Sequence, residues 1–326
     1  MRESVLITGA SGFLGYHIIM AALEKNLVVY AAIRKNSKIY HIKNLPVNFV
    51  FLDYSNIDEI VKILLTNSIN YIIHAAGVTK AVKQQDYNTI NADNSVNLAK
   101  AAENCNSFKK MVFISSLAAA GPATDLADII TEKNNPAPVT GYGRSKLLAE
   151  KELSKINIPL AILRPTAVYG PRDKEIFIML KIISRGLDPY MGKILQQLSF
   201  VYAKDVADVS IEALFVDSNG IYNISDGRKY DRYDFADIAK KILNKKAVRF
   251  HIPMALIKVL AYVLEITNGW MNKPAVINRE KLNELAASNW YCDISKAKKE
   301  LNFNPKYSLT EGLTDSIAWY KRNKLL

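Results

Sequence analysis

This sequence predicts an α/β protein built on a doubly wound parallel sheet, with a smaller C-terminal domain. Three observations carry that expectation. Short apolar runs alternate with helical patterns through the first half of the chain, the rhythm of βαβ crossovers. A glycine-spaced turn, Gly9-Ala10-Ser11-Gly12-Phe13-Leu14-Gly15, joins the first apolar run to the first helical pattern. After Gly170-Pro171 the rhythm loosens, and at 326 residues the chain exceeds the length over which one core usually grows.

Apolar runs predict strands at 4–8, 27–33, 47–51, 70–74, 110–115 and 159–164, with helices at 13–24, 56–66, 89–104 and 141–155. Runs of this kind between helices imply burial on both sheet faces. Further on, 175–185 reads as helix, 198–203 as strand, 205–216 as helix and 220–224 as strand. Helical patterns recur at 233–243, 252–267, 278–286 and 308–322. The expected division is a larger domain of residues 1–170 plus 198–225, the latter segment returning to the main sheet. Residues 171–197 plus 226–326 form the smaller domain.

With 49% hydrophobic and 23% charged residues and no low-complexity stretch, the composition is that of a folded chain. Cys105 and Cys292 form no CxxC pair and stand beside no histidine cluster, which argues against a disulfide framework and a thiolate metal site. A reducing, cytoplasmic setting is the expectation. The N-terminus runs directly into a strand pattern without a separate targeting segment. His17, His41, His74 and His251 show no recognised ligand spacing, so no metal is expected.

The 43 basic residues against 31 acidic ones leave a net charge of +12, favouring encounters with anionic ligands or surfaces. The basic residues are scattered and form no recognised motif, so nucleic acid is not an expected partner. Residues 252–266 are unusually apolar, interrupted by Lys258 and Glu265, and too short to span a membrane uninterrupted. Packing in the smaller domain is their expected role. Peripheral membrane contact, or the lining of a lipid-sized pocket, is the second.

The glycine-spaced turn is expected to hold a dinucleotide. Gly9 and Gly12 let the backbone turn tightly and approach a diphosphate, Gly15 permits close helix packing, and unpaired amides around Ser11, Phe13 and Leu14 face the anion. At the end of the second strand, Ala32 stands where an NAD-specific site commonly places an acid. Arg34, followed by Lys35, offers a charged fork suited to a 2′-phosphate. The expected cofactor is therefore NADP(H), with NAD(H) as the alternative; Arg34 and Lys35 also fit an ordinary solvated loop. Asp53, beside Tyr54 after the third apolar run, is placed to accept the adenine amino group. Ala75, Ala76 and Gly77 let a cofactor lie close, and His74 reads as a hydrogen-bonded packing residue.

The reacting centre is expected at Ser116, after the fifth strand, and at Tyr142 and Lys146, four residues apart on one helical face. A free tyrosine is a poor base near neutrality, and a neighbouring ammonium favours its phenolate. Tyr142 then acts as acid in carbonyl reduction or base in alcohol oxidation. Lys146 holds the nicotinamide ribose and tunes Tyr142, while Ser116 bonds the reacting oxygen. Each member alone occurs by chance; their order after the glycine-rich turn strengthens the joint reading.

These motifs, TGASGFLG at 8–15, LDY at 52–54, HAAG at 74–77, SS at 115–116, YGRSK at 142–146 and RPTAVYGPR at 164–172, together resemble the extended short-chain dehydrogenase/reductase family, also described as the NAD-dependent epimerase/dehydratase family. The tail at 290–320 resembles that family as well, so the likeness covers nearly the whole chain. It implies a Rossmann domain with a smaller substrate domain, and an enzyme acting on a small molecule. Asn91 is implied as the asparagine that supports the catalytic helix, Pro165 as a cofactor contact, and a homodimer through the helices at 89–104 and 141–155.

Two branches are open. Nucleotide-sugar epimerases and dehydratases fit the YGPR segment, but many have Asn where this chain has Ala167, and an Arg before a returning strand that here reads Leu198-Ser199-Phe200-Val201-Tyr202. Dihydroflavonol reductases and 3β-hydroxysteroid dehydrogenases are similar in the FISSLAAAGP segment at 113–122, and an apolar carbonyl or secondary alcohol suits the 252–266 stretch. That branch is the expected one. A non-enzymatic dinucleotide-binding role is the third reading, disfavoured by the intact trio.

Overall fold

The computed structural model describes residues 2–270 and 279–326. Strands β1 (Ser4–Thr8), β2 (Val28–Ile33), β3 (Asn48–Phe51), β4 (Tyr71–His74), β5 (Lys110–Ile114) and β6 (Leu160–Pro165) match the six expected runs. Helices α1 (Phe13–Glu24), α2 (Ile57–Thr66), α3 (Gln84–Asn88), α4 (Asn94–Glu103) and α5 (Gly141–Leu153) alternate with them. The expected helix at 89–104 starts instead with a π-helical turn, Thr89–Asp93, where the ladder widens by one residue before α4.

Beyond β6 come β7 (Ala167–Tyr169), α6 (Glu175–Ser184), β8 (Leu187–Met191), β9 (Gln197–Leu198), β10 (Phe200–Tyr202), α7 (Ala203–Phe215) and β11 (Gly220–Ile224). They are followed by β12 (Tyr230–Asp231), α8 (Asp234–Leu243), β13 (Val248–Ile252), α9 (Met254–Trp270), α10 (Arg279–Ala286), α11 (Ser295–Leu301) and α12 (Leu309–Arg322). Position 278 and the side chains of 264–267 and 279, parts of two expected elements, lie outside the described residues.

Seven parallel strands form the main sheet in the order β11-β6-β5-β4-β1-β2-β3. Because successive side chains alternate between faces, β1 sends Val5 and Ile7 into one core and Leu6 into another. The first core lies under α1 and α7, the second under α2, α4 and α5. This is the doubly wound Rossmann arrangement. Only part of the 198–225 segment enters the sheet: β11 pairs with β6, whereas β10 pairs with β7 in a separate two-stranded ribbon. A third core, built from Tyr169, Leu180, Ile183, Phe200, Tyr202, Phe235, Leu313 and Ile317 among others, packs the later elements.

The start of α1 depends on backbone contact that only glycine allows. A Cβ on Gly15 would lie 2.2 Å from the Gly9 carbonyl oxygen, and Gly9 itself has φ of 66°. Gly15→Ala gains helix propensity yet must push the turn apart, so it is expected to destabilise the fold by about 1–3 kcal/mol. Urea denaturation measures this; an unchanged midpoint would contradict the close packing.

Candidate active site

The expected site residues gather at the C-terminal ends of β1, β4 and β5, where the strand order reverses on either side of β1 and β4, the place at which open α/β sheets bind ligands. Gly12 caps α1 without any side-chain hydrogen bond, and no acid occupies the first turn. The first amides of the helix are thus open to an anion, the property a dinucleotide diphosphate requires. Ser11 and the Phe13 and Leu14 side chains are half-buried around this turn, and Gly12 is exposed.

At the end of β4 a buried chain of polar groups fixes the floor. His74 Nδ1 meets Thr8 Oγ1 at 2.7 Å and Nε2 meets Ser95 Oγ at 2.9 Å. Burial pulls the imidazole down to about 3, so it stays neutral and structural, as its packing role anticipates. Thr8 Oγ1 also accepts the Ala76 N–H at 3.1 Å, which sets the Ala75-Ala76-Gly77 segment. Asn91 sits fully buried in the π-helical turn. Its Oδ1 accepts from the Val78 N–H at 2.8 Å, and its Nδ2 donates to the Val78 carbonyl at 3.0 Å and to Ser145 Oγ at 2.9 Å. One side chain thereby ties the loop after β4 to α5.

The start of α5 is seated by Thr140, whose hydroxyl accepts the Gly143 N–H at 3.0 Å. A Cβ on Gly143 would lie 2.3 Å from the Ala118 carbonyl oxygen, so the helix rests directly on the turn after β5. Ser116 caps that turn, its Oγ accepting the Ala118 N–H at 3.2 Å. The contact sets the Ser116 turn beside Tyr142 at the start of the helix. Burial pushes the Tyr142 phenol up to about 12, an effect that Ser116 partly offsets.

One turn on, Lys146 is buried and donates from Nζ to the Ile114 carbonyl at 2.8 Å, with Nζ 4.6 Å from the Phe113 ring centroid. Burial pulls its ammonium down to about 8, against the opposing pull of Glu150. A Cβ on Gly77 would lie 3.4 Å from Lys146 Nζ and 3.0 Å from Asn91 Oδ1, so the Gly77 segment, Asn91, Lys146, Tyr142 and Ser116 converge on one place.

Four residues outside the expected site hold it. Glu150 and Arg164 form a fully buried pair, with Arg164 Nη2 2.5 Å and Nε 3.0 Å from the carboxylate, and Ser115 Oγ donates to the same group. Glu280 of α10 accepts the Gly141 N–H at 2.6 Å and pairs with Arg144. Glu150 follows Lys146 by one turn, which a sequence reading could have used; Glu280 left no sequence signal.

The adenosine end is looser. Tyr54 is half-buried and set against His74 with ring centroids 6.0 Å apart. Asp53 is exposed, its Oδ1 accepting from the Ser55 N–H at 2.9 Å and Ser55 Oγ at 2.6 Å. Arg34 and Lys35 are both exposed, and the Arg34 backbone N–H donates to Ser37 Oγ at 2.9 Å. Pro165 is buried at the end of β6.

A family model described as the NAD dependent epimerase/dehydratase family matches residues 5–225. A ceramide reductase of Caulobacter vibrioides is 25% identical, over 98% of this chain and 95% of its own length. A UDP-glucose 4-epimerase of Vibrio cholerae is also 25% identical, over 96% and 94%. Among solved structures, a dTDP-glucose 4,6-dehydratase of Bacillus anthracis in complex with NAD superposes with a TM-score of 0.79 at 17% identity, over 99% of this chain and 98% of that one. The similar solved structures in which a nicotinamide dinucleotide is named hold NAD. The expected preference for NADP(H) is corrected accordingly to NAD(H). The physical basis of that expectation is also weak in the fold, since Arg34 and Lys35 are solvated and cationic charge alone does not build a phosphate site. The chain is an NAD-dependent enzyme belonging to the NAD dependent epimerase/dehydratase family, the extended short-chain dehydrogenase/reductases.

Proposed function

We propose that this chain carries out NAD-dependent hydride transfer at a carbon bearing a hydroxyl or carbonyl oxygen. Tyr142 gives or takes the proton of that oxygen, Ser116 hydrogen-bonds it, and Lys146 holds the nicotinamide ribose. The seating of the Ser116 turn against the start of α5 at Gly143, next to Tyr142 and one turn from buried Lys146, carries this reading. Bound NAD supplies the hydride acceptor in oxidation, and its reduced form the hydride in reduction. Tyr142 keeps its proton at neutral pH, which suits donation to a carbonyl oxygen; in the reverse direction a nearby cation helps it release the proton.

The turn from Gly9 through Ser11, Gly12, Phe13 and Leu14 to Gly15 is assigned to the diphosphate. Ala75, Ala76, Gly77 and Pro165 are assigned to close contact with the dinucleotide, and Asp53 and Tyr54 to its adenosine end. Asn91 positions the loop between them. Residues 1–170 and 198–225 would carry the dinucleotide, and 171–197 with 226–326 the substrate.

The comparisons favour a nucleotide sugar undergoing epimerase or dehydratase chemistry, with support from the family itself and from the UDP-glucose 4-epimerase relative. A second reading, a reductase or dehydrogenase of an apolar carbonyl or secondary alcohol, rests on α9. That helix leaves Leu256, Val259 and Leu260 exposed at 62%, 63% and 51%, an apolar stripe of the kind that meets apolar ligands or surfaces. The ceramide reductase relative agrees with it. Product analysis with labelled substrate distinguishes the two, because an epimerase regenerates its NAD and leaves absorbance unchanged.

Tyr142→Phe is expected to lower turnover at least about 100-fold while leaving NADH affinity within about twofold. Near-normal single-turnover hydride transfer in that variant would overturn the assignment. Lys146 has its pKa lowered in the fold, so its charge is present below about pH 8 and lost above it. NADH affinity is therefore expected to weaken as pH rises through and beyond about 8, and the step is expected to vanish in Lys146→Met. A wild-type affinity that stays flat to pH 10 would sink the role of Lys146. In equilibrium titrations NADH is expected to bind more tightly than NADPH.

A further inference from the structure

The ribbon of β8 and β13 has two unlike faces. Its strands run parallel, with Leu187 beside Val248, Pro189 beside Phe250 and Met191 beside Ile252, and alternation along each strand sends these six side chains to one side. The residues between them point the other way. Asp188 and Tyr190 are buried there, and Asp188 pairs with Lys240 and Arg249. The first face is covered only at its far end, where Ile257 and Ala261 of α9 pack with Met191, Ile252 and Leu282 in a small core. At its near end Leu187, Val248 and Phe250 stay exposed at 48%, 70% and 39%.

Because α9 packs on that same face, its outer side is turned the same way as the bare end of the ribbon. The helix is apolar on both sides: Ile257 and Ala261 point to the ribbon, whereas Leu256, Val259 and Leu260 point to water. A helix that is apolar all round is ordinarily buried. Single exposed apolar side chains need no explanation, but a strand ribbon and a helix turned outward together form a patch that asks for a partner.

The rim of the patch is basic. The Val248 N–H donates to the Gly186 carbonyl at 2.9 Å, which brings Arg185 and the Lys245-Lys246 pair to the bare end of the ribbon. All three are exposed, and none of them is ion-paired among the described residues. Lys258 is exposed on α9 itself, where its stem can follow the apolar surface and leave the ammonium in water.

We propose that this face, the bare end of the β8–β13 ribbon with the outer side of α9, docks on the surface of an anionic lipid bilayer. Its apolar side chains enter the boundary between headgroups and acyl chains, and the cations at its rim meet the lipid phosphates. Among the described residues no helix is long and apolar enough to cross a membrane, and the contact is with the surface. Charge selects this occupant over a second copy of the chain. A two-fold contact would crowd Arg185, Lys245 and Lys246 and their counterparts around one interface, whereas anionic headgroups neutralise them. The docking rests on neither reading of the substrate.

The test is flotation of the full-length protein with vesicles of phosphatidylcholine alone, and of phosphatidylcholine with about one-third phosphatidylglycerol. The wild type is expected to bind the anionic vesicles at least about tenfold more tightly than the neutral ones, and to lose that difference in high salt. Lys245→Glu combined with Lys246→Glu is expected to remove the same difference at low salt. Val259→Glu combined with Leu260→Glu takes away apolar area that either vesicle buries, so binding to both is expected to weaken at least about tenfold. These four positions are exposed, and circular dichroism checks that the variants fold. Wild-type binding to neither vesicle, equal binding to both, or unchanged binding in the Val259→Glu, Leu260→Glu variant would overturn the proposal. So would a dimer, seen by light scattering without vesicles, that the same variant dissociates, because a second copy then covers the face. These readouts need neither turnover nor NADH, so they stand apart from the test of the active site.

Discussion

The buried pair of Glu150 and Arg164 is the constraint on which the site's geometry depends. Arg164 belongs to β6 and Glu150 to α5, and Ser115 at the end of β5 donates to the same carboxylate. Three elements are thereby locked at one point, one helical turn from Lys146 and one residue from Ser116. Such a pair adds little net stability over well-packed apolar residues, because both ions lose their water. Removing one partner strands the other charge and costs about 3–5 kcal/mol. Its value lies in register: α5 cannot slide along the sheet without breaking the fork, so Tyr142 stays opposite Ser116.

Much of this was legible in the sequence, for identifiable reasons. Strands β1 to β6 are short apolar runs between helices, and in a doubly wound sheet that pattern has few other interpretations. The glycine-rich turn and the Tyr142–Lys146 spacing are local, so they survive without knowledge of the fold. What could not be read depends on distant partners. Ile162 and Phe200 are both strand residues in apolar runs, yet β6 joins the main sheet and β10 pairs with β7 outside it. The widened ladder at Thr89–Asp93 follows from the need to bury Asn91 against α5, a tertiary demand on a helical sequence. Glu280 and Gly141 lie 139 positions apart and meet only because α10 comes over the start of α5.

The cofactor correction has a similar origin. Charge near the end of β2 is visible in the sequence, whereas preorganisation is not. Arg34 and Lys35 project into solvent, where a cation is worth little until something orients it. Arg172, by contrast, stands at a position whose backbone geometry is unfavourable and whose side chain is stacked on two aromatic rings. A count of basic residues treats the two arginines alike; burial and stacking separate them.

The topology of the sheet also bears on how the chain reaches its native state. Strand β11 completes the edge beside β6, but residues 166–219 intervene between the two and first run through β7, the third core and α7. During synthesis β6 is therefore finished well before its outer neighbour exists, and it presents a row of unsatisfied amides and carbonyls on an apolar strand. Residues 220–224 close that edge. The excursion through the third core thus sets the time for which the nascent sheet is open to pairing with another chain, and makes this interval an aggregation-exposed stage of its folding.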